Sequence, residues 1–148
     1  MIALDVLTTV SIGLLVGTEF AVSAFVNPIL ARLDTGTRMQ AISYFAKRLG
    51  TAMPFWYVGS AVLLLAEAIF RRHDNGEELI LTAFALWMGV IVLTLIFLVP
   101  INNRMMQLDP ALSDVSAFRE HRRWDLLHRG RIAILTISMA CFLVAVLR

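Results

Sequence analysis

The stretch Leu79-Ile-Leu-Thr-Ala-Phe-Ala-Leu-Trp-Met-Gly-Val-Ile-Val-Leu-Thr-Leu-Ile-Phe-Leu-Val-Pro-Ile101 carries no charged side chain. A helix rises about 1.5 Å per residue, so a run of this length crosses the roughly 30 Å hydrocarbon layer of a bilayer. Three further runs share its character: Leu4 to Leu30, Thr51 to Phe70, and Arg131 to Leu147. Little chain remains between them. Of the 148 residues, 59% are hydrophobic and only 16% charged, and the mean hydropathy is +0.77. Backbone polar groups in hydrocarbon must be satisfied within a helix or a closed barrel. These runs are too long and too continuously apolar for barrel strands. The expected fold is an all-α membrane protein, a four-transmembrane-helix bundle forming one domain over residues 1–148 with no soluble module.

All 13 Lys and Arg fall outside the apolar interiors. The first connection holds Arg32, Arg38, Lys47 and Arg48. The third holds Arg104, Arg119, Arg122, Arg123, Arg129 and Arg131. The second has Arg71 and Arg72, offset by Asp74, Glu77 and Glu78. The positive-inside bias puts the first and third connections in the cytoplasm and both termini on the other side of an inner or plasma membrane. The partner this implies is the lipid bilayer. Basic residues do not reach nucleic-acid-binding density, and Arg119 to Arg123 reads as a juxtamembrane patch facing anionic lipid. No Lys or Arg precedes the first apolar run, which is expected to stay as a helix and not to be cleaved. The single cysteine, Cys141, reads as a small packing residue and leaves no intrachain disulfide.

Local signals refine the picture. Gly13 and Gly17 form a small-xxx-small pair that would permit close helix approach, including self-association into a homo-oligomer. Pro28 should break or kink the first span, and Pro54 is expected in the first turn of the second, where proline is tolerated. His73-Asp-Asn-Gly76 is a turn signal. Asp109-Pro110 looks like a helix start, and residues 113–129 read as an amphipathic interfacial helix before the fourth span, with Val115, Phe118 and Leu126 on its apolar side. Gly130 would be the bend between them.

Polar residues near the spans are the functional lead, because an ionisable group in hydrocarbon is costly. Glu19, Ser23 and Asn27 are four apart and would form one stripe facing the bundle interior. They serve either as inter-helix polar glue, with Glu19 paired to Arg104 or Arg131, or as a ligand-binding acid or base. Asn102 and Asn103 follow Pro100 and either cap a membrane exit or turn an amide into a pocket. Arg104 is an interfacial anchor or a pocket cation. In His121-Arg-Arg-Trp124-Asp125-Leu-Leu-His128, residues His121, Asp125 and His128 would share a face at metal-compatible spacing, with Glu19 completing a divalent metal site. Trp124 is a belt residue or a pocket wall. His128 is the best candidate for proton exchange. Glu67 is expected to pair with Arg71 one turn on, and Trp56, Tyr57 and Trp87 to pack. No Gly-rich nucleotide fingerprint is present.

Gly17-Thr-Glu19-Phe20 with Asn27-Pro28, then Val99-Pro-Ile-Asn102-Asn103-Arg104, then Trp124-x-x-x-His128-x-x-Arg131, together resemble the DUF1772 family of small four-span membrane proteins, which includes the anthrone oxygenases. The resemblance implies dioxygen-dependent oxidation of a lipophilic aromatic, anthrone- or quinol-like compound at a cytoplasmic-side pocket. Glu19 or His128 would then remove an acidic C–H proton, with Asn27, Asn102, Asn103, Arg104, Trp124 and Arg131 around the substrate. The cofactor is expected to be either none or a divalent metal ion on His128 and Glu19 with His121 or Asp125, a set that rests on helix spacing, since His121 and Asp125 are not part of the family pattern. The competing class is a non-enzymatic membrane protein that binds a lipophilic ligand or serves as a small structural subunit.

Overall fold

The computed structural model describes the backbone of residues 1–106 and 115–148, and the side chains of 1–106 and 119–148. Four helices are long and apolar enough to cross a membrane: α1 (Ile2–Leu30), α2 (Thr35–Phe70), α3 (Glu77–Met106) and α4, which runs Val115–Val146. No strand occurs among the described residues. The chain is therefore an all-helical integral membrane protein, and its outer surface fits that solvent. Ile2 is 79% exposed and Phe55 80%, and many other apolar side chains are more than half bare. Such a surface would aggregate in water, whereas in a bilayer it is the face offered to lipid. Inside, Ile12, Leu15, Leu64, Trp87, Leu135 and Phe142 are wholly buried. Lipid tails are as apolar as these side chains, so the core is held by close packing and by interhelical hydrogen bonds. Ser138 donates to the Ala83 carbonyl (2.8 Å), Trp87 to that of Tyr57 (3.1 Å) and Trp56 to that of Ser11 (3.1 Å).

Helix boundaries depart from the apolar runs. α2 begins at Thr35, capped by the Asp34 carboxylate, which accepts from the Thr37 N–H (3.1 Å). These hydrogen bonds hold the Asp34 carboxyl below its usual range. The segment after this cap escaped the hydropathy reading because only one face is apolar. Met39, Ile42 and Ala46 are buried, and the last two pack with Leu30, Ile101 and Met105. Pro54 consequently lies inside α2, not in its first turn. The expected bend at Gly130 is absent, and the amphipathic segment is the first part of one unbroken helix. Asp109, Pro110 and Ser113 lie outside the described residues, as do the side chains of Val115 and Phe118. Leu126 is 72% exposed.

Two π turns interrupt the α geometry, Val22–Val26 in α1 and Thr94–Leu98 in α3. Each ends two residues before a proline, Pro28 or Pro100. A proline ring lacks an N–H and clashes with the carbonyl four residues back, here that of Ala24 or Ile96. Both carbonyls lie in the widened turns, which absorb the defect without a break. Within the chain, the Gly13–Gly17 pair is not a point of close helix approach. A Cβ on Gly13 would make only an ordinary 3.6 Å contact, and one on Gly17 would meet nothing within 4 Å. Close approach occurs instead at Gly76, whose Cβ would lie 2.7 Å from the Ala145 carbonyl, seating the α2–α3 turn on the end of α4. That turn also carries His73 at φ 77°.

Candidate functional site

Glu19 leaves α1 just before the first π turn and is 2% exposed. His128 and Arg131 sit three apart on α4 and so share a face. His128 is 1% exposed. Arg131 Nη2 lies 2.5 Å from Glu19 Oε2, and His128 Nδ1 lies 3.0 Å from the same oxygen. The other oxygen, Oε1, accepts from the Tyr57 hydroxyl of α2 (2.9 Å). Arg131 also reaches Thr94 Oγ1 of α3 (3.4 Å) and covers the Tyr57 ring at 5.5 Å. All four helices thus converge on one carboxylate. A buried charge is tolerated only when paired and hydrogen-bonded, and both conditions hold here.

The imidazole has a defined polarity. His128 Nε2 lies 3.1 Å from the Glu19 main-chain carbonyl, which can only accept, so Nε2 carries a proton. Nδ1 then has two states. As a lone pair it accepts from Arg131 Nη2 (2.9 Å), and as N–H it donates to Glu19 Oε2. A proton gained or lost at Nδ1 therefore has a carboxylate beside it. Trp124 stacks on His128 at 4.5 Å and 16°, and on His121 at 6.1 Å and 10°.

These groups line a cavity of about 290 Å³ whose other walls include Met53, Ile91 and Leu98. Apolar walls with a few convergent polar groups are what small-molecule sites present. A smaller chamber of about 30 Å³, bordered by Asn27, Asn102, His121 and Trp124, adjoins it. That is room on the scale of one water molecule.

Of the residues singled out in the sequence, Glu19, Asn102, Asn103, Trp124, His128 and Arg131 line the large cavity. Asn102 Nδ2 donates to the Ala46 carbonyl (3.2 Å), a contact permitted because residue 50 is glycine: a Cβ there would lie 2.6 Å from that nitrogen. Asn27 does not share the Glu19 cavity. It donates to Asp125 Oδ1 (2.5 Å) and borders only the small chamber. Arg104 turns outward to Glu120 (2.8 Å), its side chain 53% exposed. The expected metal quartet of His128, Glu19, His121 and Asp125 does not assemble. Asp125 is engaged by Asn27 and Arg129 (2.9 Å), His121 stacks on Trp124, and Glu19 is already bonded to Arg131. Among the described residues no three His, Cys, Asp or Glu side chains are grouped to hold a metal. Tyr57 and Thr94 were not anticipated, since both look like ordinary residues of apolar spans. The signal for Tyr57 was its spacing from Ser60 and Glu67, which makes a buried polar stripe along α2.

Glu67 forms the expected contact with Arg71 (3.3 Å) and also accepts from Thr8 (3.1 Å). Arg71 binds Asp5 at 2.7 Å, which raises the guanidinium pKa above its usual value. This second cluster does not border the large cavity.

No curated protein and no solved structure matches the chain. The family model for anthrone oxygenases matches residues 43–141, a range that holds Tyr57, Thr94, Asn102, Asn103, Trp124, His128 and Arg131 and begins after Glu19. With well over half its length in that match, the chain belongs to the anthrone oxygenase family.

Proposed function

We propose that the protein oxidises a lipophilic aromatic compound, an anthrone- or quinol-like molecule with an acidic hydrogen, using dioxygen at the Glu19–His128 cavity. The observation that carries this reading is a proton-exchanging pair set in the wall of an otherwise apolar cavity. For an anthrone the balance is one methylene plus dioxygen giving one ketone plus water. Glu19 and His128 accept the C–H proton. The electron pair left behind spreads onto the ring carbonyl, where Arg131 and the amides of Asn102 and Asn103 face the developing oxyanion. The carbanion passes an electron to dioxygen and a C–O bond forms. The pair returns the proton to the resulting peroxide anion, giving the hydroperoxide, and loss of water from it leaves the quinone. Dioxygen is the sole oxidant. The donor geometry gives no reason to route a step through a metal. The charge bias of the connections supports a cytoplasmic-side site with both termini outside.

Oxygen uptake by proteoliposomes given 1,8-dihydroxyanthrone tests this. Wild type should exceed empty vesicles, and Glu19→Gln and His128→Ala should each lose on the order of 10²-fold or more. Arg104→Ala, altered at an outward-facing residue, should keep the wild-type rate. Undiminished uptake by the Glu19→Gln/His128→Ala double variant would reject the mechanism. Tight binding of the anthrone with no uptake above empty vesicles would make the protein a binder of such compounds.

A further inference from the structure

We infer that the substrate reaches the cavity sideways from the bilayer, through a slot between α2 and α3. This builds on the cavity as the substrate site and adds a route and its gate residues. Thr51, Pro54 and Val58 line the cavity from one face of α2, and Leu95, Val99 and Asn103 from one face of α3. The steps of three and four along α2 and of four along α3 keep each set on one face and make two facing rims. Val58 is 56% exposed and Leu95 60%, and Thr51, Pro54 and Asn103 are exposed as well. A side chain that borders a cavity and is also bare on the outside marks where that cavity opens. These rims lie within helices long and apolar enough to cross a membrane, and the slot's Val58 and Leu95 end, deeper in the two spans than Thr51 and Asn103, would open among acyl chains.

The backbone explains why the helices part there. α2 packs against α3 through Glu77–Leu93 and through Val99–Met106, the stretch that carries the Val99 and Asn103 end of the rim, whereas the intervening π turn, with Leu95, packs on α4. On the α2 wall of the same cavity stands Pro54. Its missing N–H leaves the Gly50 carbonyl, on the cavity wall, without its ordinary helical donor. In hydrocarbon a freed backbone group is tolerated where it borders a cavity. The slot is therefore apolar at Val58 and Leu95 and polar at Thr51, Asn103 and the Gly50 carbonyl. That gradient suits a flat apolar ring system with a hydroxyl or carbonyl edge.

The route can be tested without turnover. In a Cys141→Ala background, Met53→Cys places a thiol on the cavity wall. Lipid-soluble N-cyclohexylmaleimide should label it in vesicles far faster than a charged, membrane-impermeant maleimide. Val58→Trp with Leu95→Trp, both at exposed positions, should slow lipid-soluble labelling at least tenfold. Leu95→Trp alone should slow it less, and Val62→Trp, one turn beyond the rim, should leave it unchanged. Equal labelling by the charged reagent, or labelling indifferent to the wedges, would overturn the slot. Protection by 1,8-dihydroxyanthraquinone addresses the substrate separately. Wedge-sensitive labelling without that protection would keep the slot and reject the aromatic substrate.

Discussion

Among the described residues two carboxylates are buried in this bundle, and only one of them looks like a site. Glu19 is 2% exposed and Glu67 is fully buried, and each has an arginine and a hydroxyl donor. The difference lies in where the partners come from. Glu67 is held by Thr8 and by Arg71, four residues on, with Asp5 beyond, so α1 and the end of α2 account for the whole cluster. Glu19 gathers groups that reach all four helices, has an imidazole beside it, and faces a cavity. Charge balance differs too. Two carboxylates share the Arg71 guanidinium, with Asp74 a looser third at 4.0 Å, whereas Glu19 has a guanidinium to itself plus an ionisable ring. A buried acid is thus a beginning. A void and a neighbour able to exchange a proton turn it into chemistry.

The sharpest way to break this contrast is to neutralise each acid in turn. Glu19→Gln should cut oxygen uptake by about 10²–10⁴-fold, the usual weight of a positioned acid or base. It also leaves Arg131 unpaired, at a stability cost of about 3–5 kcal/mol. Glu19→Asp, which keeps the charge but shortens the arm, should therefore fold better and still turn over slowly. Glu67→Gln should retain the wild-type rate and lose about 1–3 kcal/mol of stability, read from thermal unfolding in detergent. Loss of activity in Glu67→Gln with unfolding unchanged would erase the distinction between the clusters.

The arginines come next in size. Arg131→Lys keeps a positive charge but loses the planar fork that spans Glu19, His128 and Thr94 and lies over Tyr57. In the proposed mechanism that fork would also face the developing oxyanion, so the expected loss in rate is about 10²-fold, with the fold retained. Arg71→Lys should leave the rate alone and cost about 1 kcal/mol. An Arg131→Lys protein at wild-type rate would show that charge alone suffices and that the geometry around Glu19 is incidental.

The sequence shows the acid, the histidine and the arginine plainly, because an ionisable residue stands out within or beside an apolar run. It also shows the four spans, since lipid forces one long apolar segment per crossing. It conceals α2 before Thr51, where Met39, Ile42 and Ala46 supply only a narrow buried stripe. It conceals Thr94, whose partner comes from another helix and leaves no local trace, and shows Tyr57 only through its spacing from Ser60 and Glu67. Pro28 was legible as a disturbance, but a π turn has no compositional mark, so a break or kink was the natural expectation. The metal quartet failed for a related reason. Spacing puts residues on a face, but it does not say that Trp124 will stack on both histidines or that Asp125 will turn to Asn27.

The smallest predicted effects concern the hydroxyls, one per cluster. Tyr57→Phe removes a donor from Glu19 Oε1 and keeps the ring beneath Arg131, and Thr8→Val removes the matching donor from Glu67. A hydrogen bond of this kind is worth about 0.5–1.5 kcal/mol net, somewhat more when its acceptor is charged. Thr8→Val should show that loss in thermal unfolding alone. Tyr57→Phe should show it in the rate as well, as a drop of several-fold, because a carboxylate stripped of one donor changes its affinity for the proton it must accept. The pH at which uptake is half-maximal should therefore move in Tyr57→Phe and stay fixed in Thr8→Val. A common shift, or none, would mean that the Tyr57 hydroxyl holds the bundle together as Thr8 does and takes no part in poising Glu19.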